Sequence, residues 1–345
     1  MATPQNLDIL NKWRLKSSAS WIPLQASLEL TNRCNERCQH CYIPSFKDDP
    51  KKVLSLHDWY LVLDKLKKAG TLYIVLMGGE AMLSPFFWDI LKYSHSKGFH
   101  TSMITNGMKI KTQETADKLR NFGIKQMSFS LYSLKPHVHD FLTRVKGSHQ
   151  KTIKAIELCQ NAGLEVGVNA LLTNANIDDI FDLEDWCIEK NIVFKADPTI
   201  TPKLDGNLDP LKLRASKEQL LYFFRARTKK FPKSKPKPET YIESTHVCNA
   251  GKGKCAITAY GDLIPCIEIR EAFGNLVTED FSEIWKKESM NKWRNILNQD
   301  LKGIDPKSKS SNFCEHCPGI SNNECNDPLQ PTQFQKDLAQ VKASL

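Results

Sequence analysis

The sequence predicts an α/β protein, a partial (β/α)6 barrel followed by a small cysteine-rich α+β domain. Three observations carry this prediction. From Gln25 to Thr201, short β-branched or apolar runs alternate with longer segments of helical period, as successive βα units of a parallel sheet do. Cysteine is abundant, 11 in 345 residues, and clustered: Cys34, Cys38 and Cys41 share one short stretch, and Cys248, Cys255, Cys266, Cys314, Cys317 and Cys325 crowd the last third. At roughly 150 residues per domain the length suits about two domains, each able to bury a core without covalent staples.

Taken in order, six strands are expected at 26–30, 72–77, 100–105, 126–131, 165–172 and 193–198. The helices between them carry start and stop chemistry. Ser55 can cap a helix with Asp58 three residues on, and Gly70 ends it in a residue that tolerates the left-handed conformation. Gly98, Gly123 and Gly163 stand between helix and strand in the same way. Right-handed crossovers curl such units into an open barrel with its site at the carboxyl ends of the strands. The stretch KKFPKSKPKP, residues 229–238, reads as a solvated linker. Beyond it come short strands around Cys255 to Cys266, one amphipathic helix near 279–299, a polar loop over 300–312 and a loosely attached end. The expected organisation is an N-terminal extension (1–24), the barrel (25–228), the Lys/Pro linker (229–240), the cysteine-rich domain (241–330) and a tail (331–345).

Composition narrows the function classes. With 41% hydrophobic and 25% charged residues the chain is neither fibrous nor disordered. No apolar run approaches the ~18 residues of a membrane span, and no secretory signal opens the sequence, so a cytoplasmic protein without a membrane partner is expected. The net charge of +9 favours an acidic or phosphate-bearing partner and is too diffuse to argue nucleic acid, which is not expected. A reducing cytosol does not hold eleven cysteines as disulfides, so the clusters point to metal. Cys159 and Cys187, on apolar helix faces, read as core.

Cys34, Cys38 and Cys41 form C-x3-C-x2-C in the loop after the first strand, followed by Tyr42. Three thiolates on one short loop can hold three irons of a [4Fe–4S] cluster and leave the fourth open to a ligand. A structural zinc takes four protein ligands, and His40 is awkwardly set to be the fourth. The segment resembles the radical S-adenosylmethionine (SAM) enzymes, in which such a loop follows the first strand of a partial (β/α)6 barrel. Gly78-Gly79-Glu80 at the end of the second strand is similar to the family's segment for the SAM amino group, where glycines admit the ligand and a carboxylate pairs an ammonium. The resemblance extends to Asn106 and Ser130 at strand ends, to Arg144 as a partner for the SAM carboxylate, to Asn169 near the ribose and to Tyr42. It implies that an electron from the reduced cluster cleaves SAM to a 5′-deoxyadenosyl radical, which removes a hydrogen atom from the substrate. The electron donor it implies is a flavodoxin or ferredoxin.

The second cluster, Cys248, Cys255, Gly261, Cys266 and the pair Cys314-x2-Cys317, resembles the auxiliary iron–sulfur domain called SPASM or its shortened form, Twitch. A full SPASM domain carries two more cysteines upstream of such a pair, where this chain has Asp305 and Ser308, and a late final one. One auxiliary [4Fe–4S] cluster is therefore expected. Cys248, Cys266 and Cys317 are ligands on either likeness; the fourth is Cys255 on the first, which is favoured, or Cys314 on the second. A spared Cys314, or Cys325, is a candidate hydrogen-atom donor or a vestigial ligand. A zinc ribbon is the rival for the whole cluster.

The resemblance is strongest to enzymes that modify ribosomally made peptides by crosslinking or epimerisation. The first twenty-five residues are too short for a winged-helix recognition domain, so a leader peptide calls for a separate recognition protein. The alternatives are a dehydrogenase or tailoring enzyme acting on a small metabolite, such as a phosphorylated compound or a tetrapyrrole carboxylate, and, in another class, a non-catalytic iron–sulfur or zinc binding protein. Lys195, Asp197 and Asp205 are candidates for specificity at the mouth.

Overall fold

Six parallel strands carry the first half of the chain: β1 (Gln25–Glu29), β2 (Tyr73–Met77), β3 (His100–Thr105), β4 (Ile124–Ser130), β5 (Glu165–Leu171) and β6 (Val193–Asp197). Between them run α1 (Leu56–Lys68), α2 (Phe87–Ser96), α3 (Gln113–Asn121), α4 (Pro136–Thr143), α5 (Ser148–Asn161) and α6 (Ile180–Glu189). This computed structural model describes residue 16 and residues 19–345; most of the expected extension 1–24 lies outside the described residues. Each strand sits within two residues of its expected place. Ser55 and Asp58 form a reciprocal capping box on α1, and Gly70, Gly98, Gly123 and Gly163 all have positive φ.

Alternation along β1 explains the layering. Ala26 and Leu28 are fully buried beneath the helices, whereas Ser27 and Glu29 face the barrel interior. Trp59, Val62, Leu63 and Leu66 of α1 and Phe87, Ile90 and Leu91 of α2 bury their faces in the same apolar layer.

After α7 (Lys217–Lys230), which takes in the first two residues of the expected linker, the chain returns to the sheet. Strand β7 (Lys254–Ile257) pairs in parallel with β1, and β8 (Asp262–Ile264) and β9 (Gly274–Asn275) follow antiparallel. The result is one nine-stranded sheet in the order β6-β5-β4-β3-β2-β1-β7-β8-β9.

Two expectations about the C-terminal part are corrected. The single helix near 279–299 is broken into α8 (Phe281–Trp285), a 3-10 turn at Glu288–Met290 and α9 (Asn291–Arg294). The Trp285 carbonyl accepts from the Arg294 guanidinium at 2.7 Å, so it is engaged by a side chain where a continuous helix would offer it to a backbone N–H. The expected tail is a docked helix. Past α10 (Pro318–Cys325), Thr332 and Gln335 form a capping box that opens α11 (Gln333–Ala343), which buries Phe334, Leu338 and Val341. Cations fasten α11 to its neighbours: Arg214 lies 4.7 Å over the Phe334 ring and Lys217 of α7 pairs with Asp337.

Candidate functional site

The cysteine loop starts where β1 ends. Beyond the strand the ladder with β2 continues, for Gly79 N–H donates to Thr31 O and Glu80 N–H to Arg33 O, both at 2.8 Å. The Gly-Gly-Glu segment and the approach to Cys34 thus run side by side. Both glycines are sterically required: a Cβ at Gly78 would stand 2.4 Å from Thr31 O, and one at Gly79 2.4 Å from Arg33 O. The far side of the loop is pinned by Arg37 N–H to Thr143 O and Gln39 N–H to Leu142 O, at the end of α4.

Cys34, Cys38 and Cys41 line one cavity of about 190 Å³, and Tyr42, Gly78, Gly79, Asn106 and Ser130 line it with them. The remaining candidates are placed otherwise. Glu80 is buried and spends its carboxylate on Thr105 Oγ1 (2.9 Å), Asn106 N–H (3.0 Å) and Met82 N–H (3.2 Å), stapling the ends of β2 and β3. Arg144 is exposed, in the left-handed conformation just after α4, away from the cavity wall. Asn169 stands opposite Ser130 in the β4–β5 register, one strand further from the thiols.

The walls hold two further polar groups, Glu36, which the sequence did not single out, and His40, weighed there only as a zinc ligand. Glu36 is buried; one of its oxygens accepts from the Cys38 thiol at 3.3 Å, the other has no partner, and burial pushes its carboxyl up to about 7. His40 Nε2 shares a 3.0 Å hydrogen bond with Tyr132 Oη, while its buried Nδ1 has no partner and burial lowers the ring to about 4. The thiols are held protonated: burial pushes Cys34 up to about 12, helped by the charges of Glu80 and Glu36, and burial likewise raises Cys38 and Cys41. A positive group such as iron would favour the thiolates that burial disfavours. Among the described residues no three ligating side chains converge on a single-ion site. Thiols spread around one cavity, with unpartnered polar atoms in its walls, fit a cluster and a polar ligand.

In the C-terminal part, Cys317 lies within electrostatic reach of Glu268, Cys266 and Cys248, and burial pushes its thiol up to about 12. Cys255 is set apart. On β7 it stands opposite Ala26 and shares that residue's apolar face, and burial alone raises its thiol. Cys314 lines a separate cavity of about 450 Å³ with Tyr241, His246 and His316. Cys325 is exposed at the end of α10. Neither hydrogen-donor candidate lines the cavity of the first cysteine loop.

A largely buried ion pair, which no local sequence pattern announces, joins the two regions. Arg270 grips Glu29 at the end of β1 with two hydrogen bonds of 2.7 and 2.8 Å, and Tyr42 Oη donates to the same carboxylate at 3.3 Å. Glu268 lies beside them, its carboxyl raised by burial. Lys195 and Asp197 pair with each other at 3.1 Å and are half open to solvent.

Comparison with known proteins agrees with this geometry. Residues 28–187 match the radical SAM superfamily, and residues 248–318 match SPASM, an iron–sulfur cluster-binding domain. The AdoMet-dependent heme synthase of Methanosarcina barkeri is 24% identical over 320 residues, 86% of this chain and 91% of that protein. The sporulation killing factor maturation protein SkfB of Bacillus subtilis is 29% identical over 183 residues, 53% of this chain and 44% of that one. Among solved structures, Streptococcus suis SuiB bound to precursor peptide SuiA superposes with a TM-score of 0.71 at 19% identity, over 96% of this chain and 80% of that one. The chain therefore carries a radical SAM domain followed by a SPASM domain, and the cofactors these imply are a [4Fe–4S] cluster, S-adenosylmethionine and auxiliary iron–sulfur.

Proposed function

We propose that this enzyme modifies a ribosomally made peptide by crosslinking or epimerisation. When bound, the cluster and SAM supply the chemistry, a 5′-deoxyadenosyl radical that takes a hydrogen atom from the substrate. The protein's residues hold and shield that chemistry. Cys34, Cys38 and Cys41 are the ligands of the first cluster, and Gly78, Gly79, Asn106, Ser130 and Tyr42 form the SAM pocket, with Glu36 and His40 offering it their unpartnered atoms. Cys248, Cys266 and Cys317 hold the auxiliary cluster, and the fourth position falls to Cys255, which faces apolar core, or to Cys314, which lines a separate cavity. A flavodoxin or ferredoxin supplies the electron in the cytoplasm, and a separate protein presents the peptide.

The observation that carries the peptide reading is the open side of the barrel. Strand β6 ends the sheet with no further strand paired to it, an edge along which an extended chain can add. The names of SkfB and of peptide-bound SuiB support the same reading. A second reading, a tetrapyrrole carboxylate as substrate, is favoured by the heme synthase likeness, which spans more of the chain. The test is anaerobic turnover of reconstituted enzyme with SAM and reductant, adding either a precursor peptide, sought among short reading frames beside the gene, or an iron tetrapyrrole carboxylate. Peptide-stimulated 5′-deoxyadenosine, with loss of two hydrogens or uptake of solvent deuterium in the peptide, supports the proposal. Stimulation by the tetrapyrrole alone overturns it.

A further inference from the structure

The loop from Cys248 to Cys255, CNAGKGKC, contains a buried cation with no counter-ion. Lys252 is only 4% exposed, and its Nζ has no hydrogen-bond partner. Arg294, 1% exposed, packs against the neighbouring Gly251. Its guanidinium sits 4.5 Å over the Trp21 ring and 4.7 Å over the Trp285 ring, donates to the carbonyls of Gly251 and Trp285, and keeps Nη1 without a partner. Among the described residues neither cation makes an ion pair. The charges that bear on Lys252 are those of Arg294 and of the Cys248 thiol, and no carboxylate is among them.

Two like charges buried side by side are unfavourable unless an anion completes the arrangement. The loop that carries Lys252 opens at Cys248, one of the proposed ligands of the auxiliary cluster. The same loop is tied to the other proposed ligands, for Gly251 N–H donates to the carbonyl of Pro265, the neighbour of Cys266. A four-iron cluster held by thiolates is a net anion, and reduction adds one more negative charge. A fixed cation in a low-dielectric site therefore stabilises the reduced form more than the oxidised one.

We propose that Lys252, backed by Arg294, is the resident counter-charge of the auxiliary cluster and raises that cluster's reduction potential. Arg294 also positions the loop through Gly251. The inference rests on the assignment of an auxiliary cluster to Cys248, Cys266 and Cys317. It names a positioning residue that touches neither SAM nor substrate.

The experiment uses full-length, anaerobically reconstituted protein carrying Cys34/Cys38/Cys41→Ala, so that only the auxiliary cluster is observed. Iron and sulfide are counted per chain, and the cluster is titrated with reductant under electron paramagnetic resonance. Lys252→Met and Lys252→Gln should load the same iron and titrate at a more negative potential, while Lys252→Arg stays near the parent. The glutamine variant keeps a polar side chain, so it tests the charge if the methionine variant does not fold. Full iron with an unchanged midpoint in the neutral variants overturns the counter-charge. Absence of iron from the parent itself overturns the auxiliary-cluster assignment instead, so the two failures are distinguishable.

Discussion

Glu29 and Arg270 lie 241 positions apart and link the two cysteine regions through two hydrogen bonds. A buried ion pair is costly to assemble and costlier to break, because the abandoned partner stays buried and charged. Arg270→Met should therefore lower stability by about 3–5 kcal/mol in urea unfolding, and Glu29→Leu combined with Arg270→Met should recover most of that loss. If the single variant is as stable as the parent, the carboxylate has another partner. A second residue-scale effect concerns pH. His139 is fully buried, and burial lowers it from 6.5 to about 3, with the charge of His149 adding to the effect and that of Asp140 opposing it. The unfolded chain takes up the proton first as pH falls, so the stability contributed by neutral His139 is complete above 6.5 and is lost from there down towards about 3. Within that window the loss is about 1.4 kcal/mol per pH unit, and His139→Asn should remove this part of the slope in denaturation curves of the metal-free protein.

Elements show why some of the site was legible in the sequence and some was not. The C-x3-C-x2-C loop, the strand ends and the capping of α1 are local patterns, so spacing and residue type suffice to find them. The Gly-Gly-Glu segment was found for an incomplete reason. Its glycines were read as room for a ligand, whereas they are also required by the backbone of Thr31 and Arg33, and Glu80 turns to hydrogen-bond β3. Glu36 and His40 stand between the cysteines in the loop after the first strand; their burial depends on α4 and on Tyr132, which no local pattern announces. Gly79→Ala puts a methyl 2.4 Å from a carbonyl oxygen, so the cysteine loop must shift. The expected result is folded protein, judged by circular dichroism, whose iron content falls by about one cluster; unchanged loading would mean that the loop tolerates the displacement. The misread tail follows the same logic. Helix α11 has few strongly apolar residues, and its stability comes from docking and from the Thr332 cap, so Thr332→Ala should cost about 1 kcal/mol in thermal or urea unfolding.

For the whole molecule, the decisive fact is that the auxiliary region continues the barrel's sheet and is not simply appended to it. β7 supplies the backbone partner on the outer edge of β1, with Cys255 beside Ala26 and Ile257 beside Leu28 in one apolar layer. Side chains reinforce the join: Trp285 Nε1 donates to Trp21 O at 2.6 Å, and Lys65 of α1 donates to the carbonyls of Leu276 and Glu279, both at 2.8 Å. A chain ending at residue 240, within the Lys/Pro stretch that looks in sequence like a boundary, would leave β1 as a bare edge, uncover part of its apolar face and strand Glu29 without Arg270. Each loss opposes folding, and an unprotected apolar edge also invites pairing between copies. The truncated chain should therefore appear in size exclusion as aggregate or expanded monomer, and hydrogen exchange should show the β1 amides unprotected. In the full chain those amides should exchange as slowly as the ones in β3, which has a strand on both sides. A compact, monomeric truncation with protected β1 would mean that the barrel folds by itself and that the shared sheet serves only to fix the distance between the two cysteine sites.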